Sequence, residues 1–194
     1  MKRTAEITRK TKETDIRISI KIDGAGECKI ETGVGFFDHM LTALAVHGGF
    51  DLTVKCSGDL QVDAHHTVED VGIVLGTALK NALGDEKIMR FGNASIPMDD
   101  ALGACTLDIC GRPFLVFNAE FEGEKIGKYE TCLTKEFMQA LAFNAGITLH
   151  ISAPYGSNDH HKTEAIFKAL AYALKQAVIV KEDGKIASTK GVLS

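Results

Sequence analysis

One His-His-x-x-Glu motif occurs twice in this chain, in matching sequence surroundings. The copies are His65–Glu69 and His160–Glu164, which begin 95 residues apart (160 minus 65). Around both copies, apolar residues follow the same order of strand-like and helix-like spacing when a gap of two residues is allowed. Self-similarity over so long a period indicates a duplicated half-domain and not a short-repeat solenoid. We therefore expect two similar units, near residues 1–90 and 91–194, packed as a single domain over residues 1–194.

The hydrophobic pattern of the first half predicts the element order β-β-α-β-α. Isoleucines at every second position from 16 to 22 mark one face of a strand, and the turn Asp23–Gly26 predicts a hairpin. Helical spacing of apolar residues follows and ends at Gly48 and Gly49, and a second amphipathic helix ends at Gly84. In order, the predicted elements are a strand from Asp15, a strand through Cys28 and Ile30, a helix from Asp38, a strand at Phe50–Cys56 and a helix from Asp63.

The second half repeats this order, which predicts an α+β fold. Two halves that face one another, each a small mixed sheet covered by two helices, would bury the apolar side of both sheets. The predicted elements of this half are strands at 101–110 and 113–122, a helix at 134–144, a strand at 147–152 and a helix at 160–180.

Charge and composition argue against several classes of protein. A formal net charge of −4 is unfavourable for a general nucleic-acid binder, because such proteins need a basic surface to displace counterions from phosphates. No stretch approaches the ~20 apolar residues that cross a bilayer, and the first residues lack an apolar signal-peptide run. Five cysteines, an odd number without a CxxC spacing, indicate neither a disulfide framework nor a thiolate zinc site. We expect a cytoplasmic protein that binds neither nucleic acid nor membrane.

The duplicated motif has the spacing of a metal site. On a helix, a histidine and a glutamate three or four positions apart lie on one face and can share a ligand. Adjacent histidines point about 100° apart, so two ions would use them more naturally than one. A lone histidine usually serves packing or hydrogen bonding, but packing does not explain the same group at two equivalent places. The predicted ligands are His39, His65, His66, Glu69, His150, His160, His161 and Glu164, enough for three histidines and one glutamate on each of two ions.

The ligand types restrict the metal without identifying it. Imidazole and carboxylate without thiolate accommodate Mn, Fe, Co, Ni or Zn. If each ion is octahedral, these ligands leave open coordination positions, which favours catalysis over a purely structural role.

Six motifs in a fixed order, spread over nearly the whole chain, resemble those of the imidazoleglycerol-phosphate dehydratase family. The motifs are Arg9–Thr14, Gly33–Leu41, Asp63–Asp70, Asp108–Pro113, His160–Ala165 and Ser188–Leu193. One position departs from the family pattern, since Cys110 stands where many members have Ser. Members of the family are lyases of L-histidine biosynthesis that convert D-erythro-imidazole glycerol phosphate to imidazole acetol phosphate and water.

The resemblance implies a cofactor, a set of site residues and an assembly. It implies two Mn(II) ions per active site, held by residues that match the eight predicted ligands, on a duplicated fold of the ribosomal protein S5 domain 2-like type. It also implies a homo-oligomer of 24 subunits with active sites between subunits. Glu13 would lie in an N-terminal segment that contacts the substrate, and the phosphate would be held by Arg90, Arg112, Lys168, Ser188, Thr189 and Lys190.

The reaction that the resemblance implies needs a proton acceptor. The C–H bond to be broken lies beside an imidazole ring and not beside a carbonyl, so its proton is weakly acidic and metal activation is needed. A carboxylate is the expected acceptor, and the sequence leaves Glu13, Glu69 and Glu164 open. Two other interpretations of the residues stay open: a binuclear metallohydrolase that attacks a phosphate or an amide, and a metal-storage or structural assembly.

Overall fold

Two four-stranded sheets and four helices are formed by residues 3–182 and 184, the part of the chain that the computed structural model describes. The first half contains β1 (Thr4–Lys10), β2 (Thr14–Lys21), β3 (Cys28–Glu31), α1 (Gly35–Gly48), β4 (Asp51–Gly58) and α2 (His65–Leu83). The second half contains β5 (Phe91–Met98), β6 (Ala101–Ile109), β7 (Phe114–Ala119), the small hairpin β8 (Lys125–Ile126) and β9 (Tyr129–Glu130), α3 (Leu133–Ala145), β10 (Ile147–Tyr155) and α4 (Asp159–Ala177).

Each half begins with one strand more than the predicted order contains. The additional strands, β1 and β5, lie at the edges of the two sheets. In β1 the inward residues, such as Ile7 and Arg9, are only partly buried, so apolar alternation is weak. In β5 the exposed Phe91 is followed by the buried Gly92, which gives no apolar alternation either. The order of each half is therefore corrected to β-β-β-α-β-α, with the β8–β9 hairpin added to the second, while the α+β class is confirmed.

The two sheets have the same strand order, which confirms the duplication. The order is β1-β2-β4-β3 in the first sheet and β5-β6-β10-β7 in the second. The helices α1 and α3, which precede the inner strands β4 and β10, both end on a left-handed glycine, Gly49 at φ 73° and Gly146 at φ 71°. Glycine adopts this conformation without the steric penalty of a Cβ, so both helices end in the same way before entering their sheets.

The predicted hairpin between the strands at 15–22 and 28–30 is not formed. β4 lies between β2 and β3, pairing antiparallel with β2 and parallel with β3. A parallel neighbour requires a crossover connection, and α1 supplies it between β3 and β4. The turn after β2 instead passes the beginning of β4, where the Asp51 carboxylate accepts hydrogen bonds from the backbone N–H groups of Ala25 and Glu27.

The helices lie between the two sheets. α1 and α2 pack on the first sheet, α3 and α4 pack on the second, and α2 faces α3 while α1 faces α4. The α2 and α3 backbones approach closely at Gly76, where a Cβ would lie 2.6 Å from the carbonyl oxygen of Leu141. One hydrophobic core joins the halves, and Phe37 and Phe137 meet in it with ring centroids 5.3 Å apart.

The assignment of residues 1–194 to a single domain stays a prediction. None of the described helices is both long and apolar enough to cross a lipid bilayer.

Candidate metal centre

Three predicted ligands lie together where α1 faces α4. His39 is near the beginning of α1, and His160 and Glu164 are in the first two turns of α4. The Nε2 atoms of His39 and His160 lie 3.4 and 3.3 Å from Oε2 of Glu164. One ligand atom from each residue lies within 4.8 Å of the other two, and no other group of three His, Cys, Asp or Glu side chains among the described residues meets this condition. This α1/α4 cluster takes its members from both halves of the chain.

Glu164 is a buried carboxylate, 7% exposed, in the α1/α4 cluster. Lys168 Nζ lies 2.6 Å from Oε1, the carboxylate oxygen that the two histidines do not contact. Burial by itself raises the pKa of the Glu164 carboxyl, but the Lys168 ammonium and the His39 ring outweigh burial and hold that pKa below its usual range. Glu164 is therefore ionised near neutral pH, and its Oε2 atom faces two imidazoles.

Each His-His-x-x-Glu motif lies at the N-terminus of a helix. A polar side chain accepts hydrogen bonds from backbone N–H groups in the first turn of each helix. In α4 the Asn158 side chain accepts hydrogen bonds from the backbone N–H groups of His160 and His161. In α2 the Asp63 carboxylate accepts a hydrogen bond of 2.7 Å from the backbone N–H of His65. Such side chains satisfy backbone donors that have no partner within the helix, and they keep the first turn helical. The histidines are therefore carried on ordered helix ends.

Adjacent histidines point in different directions, in agreement with the prediction from helical geometry. The rings of His65 and His66 have centroids 6.0 Å apart and planes at 84°, and those of His160 and His161 have centroids 6.0 Å apart and planes at 77°. The first histidine of each motif faces its own glutamate, with His65 Nε2 3.6 Å from Glu69 Oε2. The second histidine of each motif faces other carboxylates.

His66, the second histidine of the first motif, lies between two carboxylates. Its Nδ1 atom is 3.0 Å from Oδ2 of Asp59, which directly follows β4. Its Nε2 atom is 3.7 Å from Oε1 of Glu13, in the turn between β1 and β2. The hydrogen bond to Asp59 is the main reason that the pKa of His66 is raised, and the charge of Glu13 adds to it.

His161, the second histidine of the other motif, has the same kind of surroundings. Its Nδ1 atom is 2.6 Å from Oδ1 of Asp100, and its Nε2 atom is 3.6 Å from Oδ2 of Asp99. Asp100 Oδ2 also accepts hydrogen bonds from Ser157 and from the backbone N–H of Asn158. These hydrogen bonds, first of all the one from His161, hold the pKa of Asp100 well below its usual range. Sequence reasoning did not predict these aspartates, because no repeat or fixed spacing relates them to the histidines.

His150 lies apart from the α1/α4 cluster, on the outer face of the second sheet. It is exposed and stands between Thr106 of β6 and Val116 of β7. Within residues 3–182 and 184 it belongs to no group of three candidate ligands. One chain thus gathers three of the eight predicted ligands in a cluster and holds the other five outside it.

The predicted phosphate-binding cations have different surroundings. Arg90 is buried and binds Asp108 through two hydrogen bonds, Nε to Oδ1 at 2.6 Å and Nη2 to Oδ2 at 2.9 Å. Arg112 is exposed in the connection after β6, and Lys168 is paired with Glu164. The remaining predicted contacts, Ser188, Thr189 and Lys190, lie outside the described residues.

Known proteins of one enzyme family are similar to most of this chain. Residues 32–174 match the family model of imidazoleglycerol-phosphate dehydratase. An imidazoleglycerol-phosphate dehydratase of Acetivibrio thermocellus is 59% identical over 197 residues, which cover 100% of both chains. A dehydratase of the same name from Methylorubrum extorquens is 54% identical over 194 residues, covering 98% of this chain and 100% of the relative.

Solved structures agree with these sequence relatives. The crystal structure of imidazoleglycerol-phosphate dehydratase from Staphylococcus aureus N315 has a TM-score of 0.84 and 41% identity, covering 92% of this chain and 99% of that chain. The crystal structure of the Pyrococcus furiosus enzyme in complex with (S)-C348 has a TM-score of 0.85 and 41% identity, covering 96% of this chain and 100% of that chain. The similarity therefore extends over both duplicated halves.

Proposed function

Because the chain belongs to the imidazoleglycerol-phosphate dehydratase family, we propose that its two motifs and the neighbouring histidines form one catalytic centre with two Mn(II) ions. The chain is a hydro-lyase that converts D-erythro-imidazole glycerol phosphate to imidazole acetol phosphate and water, a step of L-histidine biosynthesis. The observation that carries the proposal is the α1/α4 cluster of His39, His160 and Glu164. A cytoplasmic location, where amino-acid precursors are made, is part of the proposal.

The donor atoms of the α1/α4 cluster suit a divalent ion. Two imidazole nitrogens and one ionised carboxylate oxygen converge there, without a cysteine in the cluster. These ligand types suit Mn(II) and several other divalent ions, and the family supports the choice of Mn(II). The proposed ligands are His39, His65, His66, Glu69, His150, His160, His161 and Glu164.

Two ions fit the directions of the histidines better than one. In each motif the first histidine faces the motif's glutamate, whereas the second faces an aspartate outside the motif. A single ion would have to accept both rings from the same helix turn, which regular helical geometry makes unfavourable. The two motifs therefore support a centre in which each contributes to both ions.

Glu13 is the proposed proton acceptor. Its side chain is 54% exposed and lies 3.7 Å from His66, so it is both beside the proposed centre and open to a substrate. The turn that carries it is ordered, because Thr11 Oγ1 accepts hydrogen bonds from the backbone N–H groups of Glu13 and Thr14. Thr14 in turn donates a hydrogen bond to the buried carboxylate of Asp70 on α2. The turn is thereby attached to the helix that carries the first motif.

The chemistry divides between metal and protein. Bound metal would supply the Lewis acidity that the weakly acidic C–H bond beside the imidazole ring needs. Glu13 accepts this proton, the electrons of the broken C–H bond form the double bond of an enol, and the hydroxyl on the neighbouring carbon takes up a proton from solvent and leaves as water. The enol then tautomerises to the ketone. Arginine offers a planar pair of donors to phosphate oxygens, and lysine offers a point charge. The proposed phosphate contacts are Arg90, Arg112, Lys168, Ser188, Thr189 and Lys190.

The outer faces of the two sheets support an active site completed by another copy of the chain. Equivalent positions follow from the strand pairing and from aligning Gly49 with Gly146. At these positions the first sheet carries Thr4, Arg17 and Lys29, whereas the second carries Phe91, Ala104 and Val116. Duplication began from one unit, so the difference in charge between the two outer faces arose after the duplication.

A second copy is the proposed occupant of this less charged face. Phe91 and Phe114 are 57% and 58% exposed there, and apolar surface of this kind marks interaction sites. His150 stands on the same face next to Val116, so a docked copy could supply the metal-binding groups that His150 does not find among the described residues of its own chain. We propose the 24-subunit homo-oligomer of the family as the complete assembly.

One titration tests the proposed function. Metal-free protein should form no imidazole acetol phosphate from imidazole glycerol phosphate, and activity should rise with added Mn(II) to saturation near two ions per chain. A binuclear hydrolase would release inorganic phosphate without forming the ketone, and a storage protein would bind metal without turnover. Absence of ketone at every Mn(II) concentration would refute the proposal.

A further inference from the structure

The second histidine of each motif is held at Nδ1 by a carboxylate that belongs to neither motif. We infer that Asp59 and Asp100 are positioning residues, which fix His66 and His161 in the form that presents an unprotonated Nε2 to metal. The inference rests on the proposed two-metal centre and deepens it. Neither aspartate is itself a proposed metal ligand or proton acceptor.

Hydrogen-bond chemistry supports this assignment. Asp59 and Asp100 lie 3.0 and 2.6 Å from Nδ1 of their histidines, within hydrogen-bonding distance. An ionised carboxylate can only accept, so Nδ1 must carry the proton in both bonds. In a neutral imidazole the lone pair is then on Nε2, the atom that a metal would bind. The carboxylates facing Nε2, those of Glu13 and Asp99, are 3.7 and 3.6 Å away, too far for hydrogen bonds.

The two Nδ1 contacts have different origins in the duplicated fold. The β1–β2 turn has the two central residues Lys12 and Glu13, and the equivalent β5–β6 turn has Asp99 and Asp100. Glu13 and Asp100 are therefore equivalent, yet Asp100 holds Nδ1 of its histidine whereas Glu13 lies near Nε2. In the first half a residue from another position, Asp59 after β4, supplies the Nδ1 contact. The same contact thus recurs without a common sequence origin.

This difference suggests a division of roles between the halves. Because Asp59 orients His66, Glu13 is left exposed beside the histidine and remains open to a substrate. In the second half the residue equivalent to Glu13 is used for orientation and also accepts hydrogen bonds from Ser157 and Asn158. The duplicated turn therefore serves proton transfer in one half and positioning in the other.

The test compares Asp59→Ala and Asp100→Ala with wild type. The readout that a merely structural role would not change is the tautomer of each ring, measured by ¹⁵N NMR on metal-free, histidine-labelled protein at about pH 9, well above the ordinary pKa of an imidazole. We expect wild-type His66 and His161 to carry the proton on Nδ1, and each alanine variant to move its own histidine toward the Nε2-protonated form. Mn(II) affinity, measured by the EPR signal of free ion, should fall 10- to 100-fold in each variant.

Two control variants separate positioning from general damage. Asp85→Ala removes an exposed carboxylate that follows the C-terminus of α2, whereas His66 lies at the N-terminus of that helix. This variant should change neither tautomer nor affinity. Ser157→Ala removes a hydrogen bond to Asp100 Oδ2 but leaves the Oδ1 contact to His161, so the His161 tautomer should persist. Unchanged tautomers in Asp59→Ala and Asp100→Ala would overturn the inference, even if wild type binds Mn(II) and is active. Wild type without Mn(II) binding would instead refute the proposed function, while the tautomers still decide the inference.

Discussion

The three glutamates beside the histidines have three different surroundings. Glu164 is buried and held ionised by Lys168, and Glu69 is partly exposed and faces its own motif histidine. Glu13 is the most exposed of them and lies in a turn outside both motifs. Burial and pairing suit a ligand that must stay ionised, whereas exposure beside the centre suits a group that meets substrate. The sequence alone could not make this distinction.

Glutamine substitutions should separate ligand from proton acceptor. Glu13→Gln should lower kcat by roughly 10²- to 10⁴-fold, the usual contribution of a general base, with Mn(II) stoichiometry unchanged. Glu69→Gln and Glu164→Gln should lower Mn(II) content as well as activity, because each removes a charged ligand. Steady-state kinetics with metal analysis on the same samples would measure both effects. Near-normal turnover in all three variants would rule out the carboxylate mechanism.

At the residue scale, the sequence predicted groups that repeat and missed groups that meet only in three dimensions. The repeat pointed to the motif histidines, and helical geometry predicted that neighbouring rings diverge, as they do. Asp59 and Asp100 precede their histidines by 7 and 61 residues, so no common spacing reveals them. The Glu164–Lys168 pair was detectable, because acid and base stand four positions apart on one helix face.

At the scale of elements, short edge strands were the least predictable part of the fold. The helices and inner strands have continuous apolar faces, and their approximate positions agree with the sequence pattern. β1 and β5 have one solvent-facing edge and only partly buried inward residues. The alternation of apolar and polar residues that identifies a strand is therefore weak in both. The hairpin error has another cause, since a five- or six-residue connection between strands usually joins neighbours. Here the helical crossover placed β4 between them.

The close approach of α2 and α3 leads to a stability prediction. A Cβ at position 76 would lie 2.6 Å from a backbone oxygen of α3, which cannot move as a flexible side chain could. Gly76→Ala should therefore destabilise the fold by about 1–3 kcal/mol, despite the higher helix propensity of alanine. Gly35→Ala is the matched control, because a Cβ there meets nothing within 4 Å and should be neutral or slightly stabilising. Denaturant midpoints would measure both, and an equally stable Gly76→Ala variant would contradict the packing argument.

At the scale of the whole molecule, the two outer sheet faces are expected to behave differently. Val116→Lys gives the second sheet the residue that the first sheet has at the equivalent position, Lys29. If this face is covered by a second copy, the buried charge should weaken assembly by about 3 kcal/mol, roughly a hundredfold in dissociation constant, and activity should fall with it. Thr53→Lys adds the same charge to the exposed first sheet and should change neither. Sedimentation velocity would report the assembly, and an intact Val116→Lys oligomer would exclude this face as the contact.

The sequence duplication predicted the arrangement of two halves in the whole molecule, but it did not predict which face contacts another copy. Repetition of one pattern implied two facing halves, and the matching strand orders bear this out. The difference between the outer faces depends on strand register, because only the pairing shows that Lys29 and Val116 occupy corresponding positions. Register is set by tertiary contacts that a hydrophobic pattern does not specify.

The α1/α4 cluster lies across the boundary between the two halves, with His39 in one half and His160 and Glu164 in the other. An ion bound there would link the two halves, because unfolding either half would remove some of its ligands. Native-state affinity then adds to the free energy of unfolding by mass action, about 2.7 kcal/mol when free metal exceeds its dissociation constant a hundredfold. The concentration of available metal would thus set the stability of the folded chain as well as its catalytic activity.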